Sequence, residues 1–129
     1  MLDEKRMNRV LEKLDTDQML ITDPYAIYYL TGRWIFAGER FLGLLIKKGQ
    51  KPILYLNELF RFDEDLGVTK KMITDTDSVA ELLKCDVDPN KALGVDKTLA
   101  ARFLLPMIDG AIASKFINGS LAVDHTRAI

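Results

Sequence analysis

The chain has 129 residues, 48% of them apolar and 29% charged, with a formal net charge of −1. That length fits one domain with a core of its own, and near-neutrality offers no electrostatic footprint for nucleic acid or an anionic membrane. The single cysteine, Cys85, excludes an intramolecular disulfide, and the single histidine, His125, leaves a Cys/His zinc site without its ligands. The longest apolar run, FLGLLI, is far short of the about 20 residues that cross a bilayer. The charged start MLDEKRMNRV has no signal-peptide core, which together with the lone cysteine fits a reducing cytoplasm.

Leu2, Met7, Val10, Leu11 and Leu14 form one stripe, which predicts an amphipathic helix over residues 2–14. QMLIT reads as a short buried strand. In DPYAIYYLTG, Asp23 suits a cap, Pro24 the first helical position and Gly32 the end, so a short helix is expected. Residues 41–48 and 52–56 read as strands joined by the hairpin turn KKGQK. In NELFRFDEDLG, Asn57 is a cap and Gly67 a stop for a helix of about two turns. TKKMIT reads as a strand. In DSVAELLK, Ser78 and Glu81 have the spacing of a capping box, for a helix ending near Cys85; Asp88-Pro89-Asn90 then makes a turn. ALGVD is a buried strand, KTLAARFLL a helix capped by Thr98 and ended by Pro106, and GAIASKFIN a strand. LAVDHTRAI opens another helix. Helices alternating with strands around one hairpin predict an α/β fold, a mixed sheet with helices on both faces.

Few residues suit chemistry. Asp63, Glu64 and Asp65 adjoin on an expected surface helix and read as a solvated face rather than an acid–base pair. Asp75 and Asp77 read as caps of the next helix rather than metal ligands. Cys85 has only Lys84 beside it to lower its pKa, and His125 has no second histidine or cysteine. Gly32 and Gly38, with Arg33 between them, match neither the dinucleotide nor the P-loop pattern. The stretch from Gly32 to Phe41 stands apart, because a connection that should be short and polar holds Arg33, Trp34, Ile35, Phe36, Glu39 and Arg40. One reading is a long loop whose aromatics fold back on the core, with Glu39 and Arg40 as surface charges. The other is a recognition loop hung between rigid elements. Trp and Arg are the types most enriched in binding hot spots, and the arginine fork matches a carboxylate. In that second reading Arg33 or Arg40 pairs with a substrate carboxylate, Trp34 closes a cleft against water, and Glu39 either holds Arg40 or meets a substrate amine.

DPYAIYYLTG, then GERFLGLLI, then KPILYLNELF, with LGVDK and VDHTRAI further on, resemble the amino-terminal domain of the creatinase/prolidase family. GER before an apolar strand looks most like bacterial Xaa-Pro dipeptidases (prolidases). The likeness covers nearly the whole chain. It implies a ribonuclease-H-like, three-layer α/β/α domain over residues 1–129, with a mixed sheet of about six strands. It also implies that this chain is a non-catalytic domain cut from a longer cytoplasmic hydrolase. The family's two divalent metals (manganese, cobalt or zinc) are held by Asp, Asp, His, Glu and Glu of a carboxy-terminal catalytic domain, so no metal ligand and no catalytic residue is expected here. Relatives use this domain for homodimer contacts and to overhang the partner's active site with the loop after YLTG. That role maps onto Arg33, Trp34, Glu39 and Arg40 as a substrate-gating loop, with an Xaa-Pro dipeptide as substrate. Relatives often place an aromatic residue directly after TG, where this chain has Arg33. Two alternatives stay open: the amino-terminal domain of an Xaa-Pro aminopeptidase or creatinase, and a stand-alone, non-enzymatic binding module of the same fold.

Overall fold

Gln18, Met19, Leu20 and Ile21 are all buried, as a strand covered on both faces must be, and the rest of the fold is arranged about them. The computed structural model describes residues 1–127. In chain order the elements are α1 (Glu4–Lys13), β1 (Gln18–Ile21), α2 (Pro24–Thr31), β2 (Leu42–Lys47), β3 (Ile53–Asn57), β4 (Thr69–Ile73), α3 (Val79–Lys84), β5 (Leu93–Val95), α4 (Ala101–Asp109), β6 (Phe116–Asn118) and α5 (Ser120–Arg127). The strands form one six-stranded sheet in the order β4-β3-β2-β1-β5-β6. β1, β2 and β3 are antiparallel neighbours, with Met19 opposite Ile46 and Leu44 opposite Leu54. The outer pairs are parallel: β3 with β4, β1 with β5 and β5 with β6.

Side-chain alternation divides the apolar residues between two cores. Met19, Ile21, Leu44, Ile46, Leu54 and Leu56 face α1, α2 and α5. Leu20, Leu45 and Tyr55 face α3 and α4. The result is the three-layer mixed α/β domain expected from the sequence. No helix among the described residues is long and apolar enough to cross a membrane.

Local chemistry sets most helix ends where the sequence puts them. Asp3 accepts from Arg6 N at the start of α1, Asp23 from Tyr25 N at the start of α2, and Ser78 from Glu81 N at the start of α3. Gly32 closes α2 in the left-handed conformation, φ 77°, which glycine adopts without a Cβ penalty. α5 begins as expected; Ala128 and Ile129, in its expected continuation, lie outside the described residues.

Five expectations are corrected. No two-turn helix follows β3: Asn57 caps a single 3₁₀ turn, Glu58–Phe60, and the chain then runs irregularly to Gly67. Phe60 and Phe62 pack against the first core, and Lys70 Nζ takes the carbonyls of Phe62 and Glu64 at 2.9 and 2.7 Å. Asp63, Glu64 and Asp65 therefore sit on an exposed loop, not a helix. Thr98 does not cap α4, because its hydroxyl is spent on Asp96 Oδ1 at 3.0 Å; α4 starts after Ala100 with no side-chain cap. Pro106 lies inside α4 rather than at its end, and the carbonyl it leaves unmatched is that of exposed Arg102 in the first turn. Of GAIASKFIN, only Phe116–Asn118 pairs in the sheet. Asp75 and Asp77 do not cap α3, since Ser78 takes that role; Asp77 accepts instead from Thr74 N at 2.8 Å.

Candidate functional site: the loop between α2 and β2

After Gly32 the chain runs extended, and extended backbone sends alternate side chains to opposite sides. Ile35 and Ala37 go into the core while Trp34 and Phe36 stay outside, 46% and 71% exposed. Trp34 stands edge-on to Tyr25 and Tyr28 of α2, at centroid distances of 4.9 and 6.5 Å. Both tyrosines are exposed, so the loop and the outer face of α2 make one aromatic surface. Ile35 and Ala37 thus anchor the loop in the core, while its aromatics Trp34 and Phe36 do not fold back on it. The loop closes in a turn, Arg40 N donating to Ala37 O at 3.1 Å, with Gly38 at φ 59°.

The four expected site residues divide into two groups. At one end, Arg33 lies over the Phe62 ring, 3.9 Å from its centroid, and its Nη1 donates to Glu64 Oε1 at 3.0 Å. Trp34 is beside it. At the other end, Arg40 donates from Nε and Nη2 to Asp75 Oδ1 and Oδ2 at 3.0 and 3.4 Å. Asn57 Nδ2 also donates to Asp75 Oδ1, at 2.9 Å. Hydrogen bonds from Arg40 and then Asn57 hold the Asp75 carboxyl below the usual carboxylate range, and Asp75 pushes Arg40 up. Asp75, not Glu39, holds Arg40. Among the described residues the Glu39 carboxylate has no hydrogen-bond or ion-pair partner, while its backbone carbonyl accepts from Arg102 Nη2.

A cavity of about 220 Å³ opens between this turn and α4, walled by Phe36, Arg40, Phe41, Leu99, Arg102 and Phe103. It lies beyond the carboxyl ends of β1 and β5, where open α/β sheets place ligands. Beside it, buried Asp96 accepts from the backbone N–H of Thr22 and Asp23, at 2.8 and 3.0 Å, and from the hydroxyls of Thr22 and Thr98. These bonds tie β5 to the start of α2.

The remaining candidates are apart from the loop. Cys85 is exposed at the end of α3, its Sγ directed at Glu81 O, and His125 is exposed on α5. Among the described residues no three His, Cys, Asp or Glu side chains converge. Asp75 and Asp86 are taken by cations, and Asp96 by four donors. These carboxylates do not fit a dinuclear metal centre. No local sequence pattern links Asn57, Asp75 and Arg102 to the loop: Asp75 and Arg102 meet it across 35 and 63 residues, and Asn57 meets it through Asp75.

The six-stranded mixed sheet with helices on both faces defines a three-layer α/β domain. The chain belongs to the Creatinase/Prolidase N-terminal domain family, whose profile matches residues 5–129. No curated protein sequence matches it. Among solved structures, a proline dipeptidase chain from Streptococcus pneumoniae TIGR4 aligns with TM-score 0.76 at 19% identity, over 100% of this chain and 99% of that one. A dipeptidase from Pyrococcus horikoshii OT3 aligns with TM-score 0.75 at 20% identity, over 98% of this chain but 36% of its own. Dipeptidase PepE from Mycobacterium ulcerans aligns with TM-score 0.71 at 24% identity, over 98% and 36% respectively. At these identities the likeness is one of fold.

Proposed function

We propose that this chain is the non-catalytic amino-terminal domain of a metal-dependent Xaa-Pro dipeptidase that works in the cytoplasm as a homodimer. One observation carries the reading: the whole fold is matched by an amino-terminal domain family, and it spans 36% of two dipeptidase chains. In this reading the two divalent metals and the hydrolytic residues belong to a carboxy-terminal domain. The present domain supplies dimer contacts, and Arg33, Trp34, Glu39 and Arg40 form a loop that shapes access to the partner's active site. The exposed aromatic surface around Trp34 and the Glu39 carboxylate, unpaired among the described residues, support that role. Since Arg33 and Arg40 are already paired within the chain, the groups left for a dipeptide are the Trp34 ring and Glu39, which suits the substrate ammonium.

The test is steady-state kinetics of Trp34→Ala and Glu39→Gln in the longer enzyme, on several Xaa-Pro dipeptides. A lost charge-assisted contact costs about 1.5–3 kcal/mol, roughly ten- to a hundredfold in kcat/KM. That loss is expected with metal content unchanged. Values within about twofold of wild type on every dipeptide would reduce the loop to packing.

A further inference from the structure

The carboxy-terminal end of the loop is held from outside it by two residues on separate elements. Arg102, in the first turn of α4, donates to the carbonyl of Glu39. Asp75, just after β4, receives both donors of Arg40. Neither partner is free to wander. The Arg102 guanidinium lies over the Phe103 ring at 4.6 Å, and Phe103 packs edge-on against Phe41, the residue after Arg40. Asp75 is aligned by Asn57 Nδ2, and Asn57 is buried with its Oδ1 taken by Leu59 N at 3.0 Å. A chain of hydrogen bonds thus runs from the end of β3 to the loop. The tip of the turn is unpacked: nothing lies within 4 Å of a Cβ built on Gly38.

We propose that Arg102 and Asp75 are positioning residues that fix the turn Ala37–Arg40 and so set how Glu39 and Phe36 are presented to a substrate. This rests on the gating role given to the loop above. The Arg40 and Asp75 side chains are 43% and 61% exposed, and such pairs are weak and screened by salt. Two weak contacts on adjacent residues restrain one turn and act together. The loop is therefore held closely enough to have one main conformation and loosely enough to leave it when a ligand or ionic strength competes.

Amide hydrogen exchange of residues 36–40 in this chain tests the idea, because the Arg40 N–H closes the turn. Asp75→Asn and Arg102→Met are each expected to speed exchange of the Arg40 amide about two- to fivefold, with the amides of β2 unchanged. Arg102→Lys, which keeps a charged donor, should restore most of the protection. Raising salt should speed exchange in the wild type and do little more in Asp75→Asn. Unchanged Arg40 exchange in both Asp75→Asn and Arg102→Met would overturn the proposal, whatever the loop does in the enzyme. In the longer enzyme the same two variants should raise dipeptide KM and leave kcat in place. Faster exchange with an unaltered KM would sink the gating role and leave the positioning contacts standing.

Discussion

Phe41 and Phe103 meet edge to face, their ring centroids 5.1 Å apart, and through this pair the start of β2 grips α4. The Phe41 ring reaches α4 by lying across the strand over Gly43. A Cβ at position 43 would stand 2.8 Å from that ring and 2.9 Å from Leu20 Cδ1. Gly43→Ala is therefore expected to destabilise the chain by about 1–3 kcal/mol, the usual cost of overpacking. Denaturant midpoints measure it. Adding Phe41→Leu should reduce the penalty, because the two positions share one space.

On the neighbouring strand Tyr55 pairs with Gly43, and its phenol donates to Asp86, which Lys71 also holds at 2.7 Å. Burial alone would raise the Asp86 carboxyl, but hydrogen bonds from Lys71 and Tyr55 and the charges of Lys71 and Lys47 outweigh it, so the group lies below its ordinary value. Burial, then the bond to Asp86, pushes the Tyr55 phenol up. A lowered carboxyl gives stability that is present above about pH 4 and lost as pH falls through the folded value. A raised phenol gives stability present below about pH 10 and lost as pH climbs beyond it. Stability against pH should therefore fall at both limbs. Asp86→Asn should flatten the acid limb and Tyr55→Phe the alkaline one. Asp17 and Asp75 are also lowered, chiefly by hydrogen bonds from Lys91 and Arg40, but such exposed pairs add little.

Asp96→Ala should be the more damaging loss. It leaves the backbone donors of Thr22 and Asp23 and two hydroxyls without their acceptor. Two stranded backbone donors near a buried side chain cost about 2–4 kcal/mol. Thermal or urea unfolding decides it, and Thr98→Ala, which removes one bond of the four, should cost far less.

The isolated chain is expected to hold no stoichiometric divalent metal and to leave Xaa-Pro dipeptides intact with manganese present. Among the described residues no three His, Cys, Asp or Glu side chains converge, and Asp75, Asp86 and Asp96 are committed to internal partners. Elemental analysis and a dipeptide assay on the purified chain check this, and tight metal or sustained turnover would contradict it.

What the sequence discloses here is mostly local. Asp23-Pro24 and Gly32 bracket α2 because a cap, a fixed φ and a left-handed glycine each act within one turn, and KKGQK joins β2 to β3 for the same reason. The expected helix through Phe62 fails because its periodicity competes with two aromatic rings drawn into the first core and with Lys70 taking the carbonyls. Thr98 has the right chemistry for a cap, but a carboxylate two residues earlier claims its hydroxyl. At the site, the unusual composition between Gly32 and Phe41 marks the segment. The partners of its arginines do not show, because Glu64 and Asp75 are brought to it by the sheet and not by spacing.

The position of β1 in the sheet also has a kinetic consequence. Its ladder to β2, and that of β2 to β3, close over short stretches of chain, whereas across the β1–β5 ladder the partner of Met19 is Gly94. Closing that loop costs more chain entropy before any contact rewards it. The antiparallel strands β1 to β3 can thus assemble first and serve as a template, with β5, β6 and α5 docking late. On unfolding, the parallel seam between β1 and β5 is expected to part before the antiparallel ladders.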